Sequence, residues 1–139
     1  MDYRRFGETI VLRLDPGEDI IGELERLAAL EDIRLAEING LGAVDDFTVG
    51  VFDLAEKAFR PRRFRGAHEV TSLHGTITGQ RSLHLHMNAA DAEGRVWGGH
   101  LVSARVSVTA EIVVRLLDGR VDRTADAAFG LNLLAFGED

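Results

Sequence analysis

Cysteine is absent from the 139 residues of this sequence. Its absence excludes disulfide bonds, thiolate metal sites, iron–sulfur clusters and cysteine nucleophiles. Any transition-metal site in the chain must therefore be built from histidine and carboxylate ligands.

Long apolar runs are missing as well. The most apolar stretch, residues 101–117, is interrupted by Arg105, Glu111 and Arg115, so no run approaches the roughly 18 apolar residues that cross a bilayer. Residues 1–7 are polar and lack the apolar stretch and cleavage site of a secretory signal. We therefore expect a cytoplasmic protein.

Basic residues are outnumbered, with 16 Lys and Arg against 23 Asp and Glu, a net charge of −7 and a pI near 5.2. This balance opposes nonspecific binding to phosphate backbones. One segment is locally basic and forms a candidate nucleic-acid patch, although a solvated or self-paired loop is the alternative. Its residues are Arg60, Arg62, Arg63 and Arg65.

In other respects the composition is that of an ordinary globular protein, with 45% hydrophobic and 28% charged residues. It excludes disordered, collagenous and low-complexity classes. A chain of this size buries roughly 68% of the surface that its unfolded form exposes. We therefore predict a single domain over residues 1–139 with one hydrophobic core.

The first part of the chain predicts a strand followed by a helix. Residues 8–14 form a short apolar run typical of a strand. Asp15 is the expected N-cap, Pro16 the first helical residue and Glu18 the partner in a capping box. The helix is expected to continue to about Glu31 and to bury an apolar face at helical spacing. That face consists of Ile20, Ile21, Leu24, Leu27 and Ala28.

Beyond residue 34 the pattern favours an antiparallel sheet, so we predict an α+β fold, a mainly antiparallel sheet packed with one or two helices. Asn39-Gly40 is typical of a turn, and segments 91–94 and 118–119 indicate hairpins. The apolar tail 130–136 is expected to pack on the sheet or on a neighbouring subunit. The predicted strands lie at about 34–39, 43–53, 56–64, 67–78, 81–90, 95–109, 110–117 and 120–124.

Three histidines near one predicted hairpin form the most informative pattern. His84 and His86 are two apart on a strand, so both project from the same face. The hairpin would bring His100 opposite or diagonal to His86, and Gly98-Gly99 favours a bulge or a close backbone approach that aims it. Three imidazoles with an open fourth position suit zinc. The alternative is that they are polar residues on a half-buried strand.

Two carboxylates in strand-like sequence, Glu69 and Glu111, are candidates to assist this site. Either one could orient an imidazole or act as a general base beside a metal-bound water. The alternative is that both face solvent. His68 and His74 are weaker candidates, and the sequence assigns no catalytic residue.

Other familiar sites are excluded by their missing residues. Gly40-Leu41-Gly42 has Asp45 where a dinucleotide fingerprint needs its third glycine, and the chain contains neither a P-loop nor a nucleophile elbow. Gly79 with the two following histidines resembles part of a cupin metal motif. The second cupin motif needs a downstream proline, but the only prolines are Pro16 and Pro61.

The order and spacing of five segments resemble the plants-and-prokaryotes-conserved (PPC) domain family, which in plants accompanies AT-hook DNA-binding motifs. The resemblance covers the chain from about Phe6 to Phe136. It is carried by LDPGED at 14–19, GAHEVTSLHGTI at 66–77, LHLH at 83–86, DAEGRVWGGHL at 91–101 and TAEIV at 109–113.

The resemblance implies a PPC-type antiparallel sheet with helices that assembles as a homotrimer. Prokaryotic members resemble stand-alone domains that bind a divalent metal, with zinc as the expected ion, through histidines matching His84, His86 and His100. The family is commonly described as DNA-binding, chiefly because of the AT-hook, whose Arg-Gly-Arg-Pro core is absent here. Ala67 and His68 replace the Arg and Phe of the segment through which plant members contact other transcription factors.

Three hypotheses follow. The leading one is a trimeric PPC-domain protein with a three-histidine metal site that acts as a DNA-associated or regulatory binding module. The alternative is a metal-dependent enzyme acting on a small molecule, with Glu69 or Glu111 as the base. In the third, the metal or the histidine cluster is structural and fixes a contact between subunits.

Overall fold

The fold is described from a computed structural model that defines residues 1–137. It is mainly an antiparallel sheet with one short helix, as the sequence predicts, and a 3-10 turn at Gly79–Arg81. No helix in these residues combines the length and the apolar character needed to cross a membrane. In chain order the elements are β1 (Asp2–Phe6), β2 (Thr9–Leu14), α1 (Ile20–Leu30), β3 (Ala36–Asp53), β4 (Ala58–Thr78), β5 (Ser82–Ala90), β6 (Val96–Leu116), β7 (Asp122–Asp126) and β8 (Leu131–Ala135).

The main sheet curls until its last strand, β5, pairs with β6. Its strand order is β1-β2-β6-β3-β4-β5, and β5 also pairs with the first residues of β6. Strand β6 is 21 residues long, so its start can pair with β5 while its end pairs with β2. Strands β3, β4, β5 and β6 therefore form a closed circuit, and one side of the sheet encloses the apolar core. The largest fully buried side chains include Phe47, Ile38, Leu73, Leu85 and Met87.

Three of the strands are longer than the sequence pattern indicates. The predicted pairs 34–39 with 43–53, 56–64 with 67–78, and 95–109 with 110–117 are continuous within β3, β4 and β6. Register shifts at Gly40/Gly42 and Val44/Asp46 bend the paired strands without ending them, as β-bulges do. The predicted turn at Asn39-Gly40 is therefore wrong. A Cβ atom on Gly40 would lie 3.0 Å from the carbonyl oxygen of Glu111.

The helix begins later than its capping sequence predicts. Asp19 is the N-cap, and its carboxylate accepts hydrogen bonds from the backbone N–H of Gly22 at 2.9 Å and of Ala104 at 3.0 Å. Backbone hydrogen bonds join the residues just before it to Val106 of β6, so they cannot be helical. The prediction that Asp15 caps the helix is wrong. The predicted buried face is confirmed at Ile20, Leu24, Leu27 and Ala28.

Replacing Asp19 by alanine is expected to lower the free energy of unfolding by about 2 kcal/mol, because two backbone donors lose their acceptor. Asp15→Ala is the matched control. The Asp15 side chain makes only an exposed contact with Arg13, so its loss should change stability by less than about 0.5 kcal/mol. Urea unfolding of both variants measures the difference, and equal losses would contradict the assignment of the cap.

The two chain ends differ most from the sequence prediction. Strand β1 was not predicted, because residues 2–6 are largely polar; it pairs with β2. Asp118-Gly119 does not close a hairpin on β6, since β7 pairs with β8 instead. Strands β7 and β8 form a hairpin of their own, called the second hairpin below. The N–H of Gly79 donates to the carbonyl oxygen of Val121 at 2.8 Å, which holds the second hairpin beside the 3-10 turn. The apolar tail is not buried within the chain, as Phe136 is 79% exposed.

Candidate metal centre

The curled sheet brings three histidines together. Alternation along β5 directs Leu85 into the core and leaves His84 and His86 on the opposite face. The hairpin register places His86 directly opposite His100 of β6. The ring centroids lie 5.2 Å, 5.2 Å and 5.7 Å apart. One nitrogen from each ring lies within 4.8 Å of the other two, which gives three donors converging on one point.

Glycines allow the backbones around these histidines to pack closely. A Cβ atom on Gly99 would lie 2.4 Å from the carbonyl oxygen of Gly50, and one on Gly98 would lie 2.9 Å from the carbonyl oxygen of Met87. A Cβ atom on Gly75 would lie 1.9 Å from the carbonyl oxygen of His84. Real Cβ contacts are not this short, so the sheet reaches this geometry only with glycine at these positions. The expected close backbone approach before His100 is therefore present.

Two contacts of the histidine group were not predicted from the sequence. Phe59 packs edge-on against the ring of His100, with centroids 5.7 Å apart. Arg123 lies beside His84, with 3.1 Å between its Nη2 atom and the ring nitrogen Nδ1. Arg123 belongs to β7, which reaches this site only because the second hairpin leaves the main sheet. No local pattern in the sequence signals that long-range contact.

The surroundings favour the neutral form of two of the imidazoles. Burial lowers the pKa of His84 below its ordinary value, and the charge of Arg123 and the other two histidines lower it further. Burial, followed by the proximity of His86, also lowers the pKa of His100. Neutral imidazole is the form that binds metal ions. Three such donors on neighbouring strands fit a divalent transition metal, with a further coordination position left open.

The other titratable candidates do not join this group. Glu69 lies in register with Ala90, at the far end of β5, and Glu111 lies eleven residues beyond His100 on β6. Within residues 1–137, no carboxylate is hydrogen-bonded to any of the three clustered imidazoles. His74 is the register partner of His86 but stands outside the group of three.

His68 lies in a separate aromatic cluster. Its Nδ1 atom is 2.8 Å from the carbonyl oxygen of Gly66, and its ring packs edge-on against Phe47 with centroids 5.0 Å apart. Phe64 stacks on Phe47 and on Trp97. These contacts account for His68 as a packing residue.

The candidate nucleic-acid patch is divided and largely neutralised. It lies within β4 rather than in a loop, so alternate arginines point to opposite faces of the strand. Arg60 forms ion pairs with Asp53 and Glu56. Arg63 and Arg65 both contact Asp46, and Arg63 holds the pKa of that carboxyl below its usual value. The guanidinium of Arg62 lies 4.9 Å from the ring centroids of both Phe64 and Trp97.

Comparison with known proteins finds a matching family model and similar curated proteins. A family model of the Plants and Prokaryotes Conserved (PCC) domain matches residues 1–118. The Bifunctional protein GlmU of Synechococcus sp. (strain JA-3-3Ab) is 35% identical over 122 residues, which are 86% of this chain and 19% of that protein. The chain thus spans about a fifth of the length of this curated relative.

Solved structures share the whole fold. A protein of Bacteroides thetaiotaomicron, named as a candidate DNA-binding protein, superposes with a TM-score of 0.94 and 28% identity over 97% of this chain and 96% of that chain. A metal-containing protein of Archaeoglobus fulgidus superposes with a TM-score of 0.86 and 28% identity over 98% of this chain and 99% of that chain.

Proposed function

This chain belongs to the Plants and Prokaryotes Conserved domain family, and we propose that it binds a divalent metal through His84, His86 and His100. The observation that carries the proposal is the convergence of three imidazole nitrogens within 4.8 Å. The metal-containing protein of Archaeoglobus fulgidus, which is similar over its whole length, supports it. Zinc is the proposed ion, because histidine nitrogens are among its usual ligands and the chain has no cysteine.

The metal would serve a binding or catalytic role rather than a purely structural one. Structural zinc sites are usually closed by four protein ligands, whereas three ligands leave a position for water or another molecule. A bound ion would supply a Lewis acid at that position. Glu69 and Glu111 do not contact the imidazoles, so a base from either residue has no geometric support. A ligand-binding module therefore comes first, and a metal-dependent enzyme is the second candidate because of the open position.

A homotrimer is part of the proposal. The outer side of the main sheet carries apolar side chains that nothing in the described chain covers. Val11 and Val113 pair across β2 and β6 and are 43% and 42% exposed, and Leu41 nearby is 55% exposed. Association of chains through this face would remove the apolar surface from water.

Elemental analysis of the purified, untagged protein after zinc loading tests the metal, and native mass spectrometry of the same sample tests the assembly. We expect about one zinc per chain and a mass of three chains. Absence of zinc after loading would overturn the metal-binding function. A monomer that still holds zinc would overturn only the trimer.

The name of the Bacteroides thetaiotaomicron protein suggests DNA association, but the arginine pairing in this chain opposes it. Most arginines of the candidate patch are paired with carboxylates, and the net charge is −7. We expect no retention on immobilised duplex DNA at about 0.15 M salt, because such binding depends on unpaired basic groups. Retention that falls steeply with salt would instead favour a DNA-associated module.

A further inference from the structure

One arginine of the second hairpin lies against the histidine group without the partners that a guanidinium usually has. Arg123 donates from Nη2 to Nδ1 of His84 and from Nη1 to the carbonyl oxygen of Asn132, both at 3.1 Å. Its Nε atom is closed off from solvent and has no hydrogen-bond partner within residues 1–137. Buried donors are nearly always paired, so an unpaired one points to an acceptor from outside the chain, either water or a ligand.

The charge of Arg123 also lacks an internal counter-ion. In the part of the chain that the structure describes, no carboxylate lies within ion-pair distance of this guanidinium, although most other arginines there contact one. Arg120, three residues earlier, is an example, with its Nε atom 3.0 Å from a carboxylate oxygen of Asp122. A divalent ion beside Arg123 would add to this local positive charge, which favours a negatively charged ligand.

Metal binding would free a second donor of Arg123. The hydrogen bond from Nη2 needs a lone pair on Nδ1 of His84. A neutral imidazole that binds a metal through Nε2 carries its proton on Nδ1, and one that binds through Nδ1 has used that lone pair. In both cases Nη2 loses its acceptor. Nε and Nη2 lie on the same edge of the guanidinium, so this edge would then present two parallel N–H groups beside the metal.

Resting on the proposed metal function, we infer that the loaded centre binds an oxyanion of the carboxylate or phosphate class between the metal and the Nε and Nη2 edge of Arg123. Two parallel N–H donors match the spacing of two oxygens on such a group, which is why arginine suits this recognition. One ligand oxygen would occupy the open coordination position. The ligand would also supply the acceptor that the buried Nε lacks.

Titration of the cobalt(II)-loaded full chain tests this inference, because the visible absorption of cobalt changes when its coordination changes. The probes are acetate, for the carboxylate class, and methylphosphonate, for the phosphate class. The proteins are wild type, Arg123→Gln, Arg123→Lys and the control Arg120→Gln, whose arginine already has a carboxylate partner. Cobalt affinity is measured first for each protein, which shows that the centre is intact.

We expect saturable binding of at least one anion to the wild type, and the tighter of the two identifies the ligand class. Arg123→Gln should bind that anion at least about 10-fold more weakly, since it loses charge-assisted hydrogen bonds. Arg123→Lys should be intermediate, Arg120→Gln should match the wild type, and cobalt affinity should not fall in Arg123→Gln. Equal anion affinity in cobalt-loaded wild type and Arg123→Gln would overturn the inference alone. Failure of the wild type to hold cobalt or zinc would overturn the metal function itself.

Discussion

Replacing any one of His84, His86 and His100 by alanine is expected to lower zinc affinity by at least about 100-fold. Loss of a group that merely orients a ligand costs about 10–100-fold in affinity, and each of these changes removes a ligand itself. The two remaining imidazoles have no carboxylate in the described chain to replace the third. Competition against a chromophoric chelator measures the affinity of each variant.

His74→Ala is the matched control for this prediction. His74 is the cross-strand partner of His86, so it has the same residue type and a neighbouring position. It lies outside the converging group, so its removal should leave zinc affinity unchanged within about 3-fold, well below the effect of losing a ligand. Equal losses in His74→Ala and His86→Ala would contradict the assigned ligand set. Urea unfolding of each variant without metal separates loss of a ligand from loss of the fold.

The grouping of the histidines could be predicted from the sequence because it depends on short-range rules. Alternation along one strand puts His84 and His86 on the same face. The turn at 91–94 is closed by a local hydrogen bond, in which the N–H of Asp91 donates to the carbonyl oxygen of Arg95 at 2.9 Å. Once that turn is known, counting along both arms brings His100 opposite His86. Both steps use residues within about one hairpin, so neither requires knowledge of the rest of the sheet.

The errors lie where distant contacts override local patterns. The helix starts at Ile20 because Gly17 and Glu18 form backbone hydrogen bonds with Val106, far along the chain. Strand β3 continues through Asn39-Gly40 because strands on both sides pair with it there. In each case backbone hydrogen bonds to residues far along the chain override the local preference of the sequence for a cap or a turn.

The contact between Arg123 and His84 shows the same limit at the site itself. The sequence indicates a turn at Asp118-Gly119, but whether the next strand returns to β6 or pairs with a later segment depends on the whole sheet. The end of β6 is already paired on both sides, with β2 and β3. The following strand therefore pairs with β8 and reaches the histidines from outside the main sheet.

Substitution of Gly75 by alanine is expected to lower the free energy of unfolding by about 3 kcal/mol, because the site is overpacked by a backbone contact rather than by a movable side chain. The added Cβ atom would lie 1.9 Å from the carbonyl oxygen of His84. Gly75 pairs with β3 on one side and with β5 on the other, so β4 has little room to retreat. The strain would also displace His84, so zinc affinity should fall together with stability.

Gly22→Ala provides a control of opposite sign for the Gly75 prediction. Gly22 is an exposed position in α1, and a Cβ atom there would meet only Oδ2 of Asp19 at an ordinary 3.7 Å. Alanine in a helix is more favourable than glycine by about 0.5–1 kcal/mol, so this variant should be more stable and should bind zinc normally. Chemical unfolding and zinc competition on both variants test the pair. A Gly75→Ala protein as stable as the wild type would show that β4 and β5 are not packed as closely at His84 as this geometry requires.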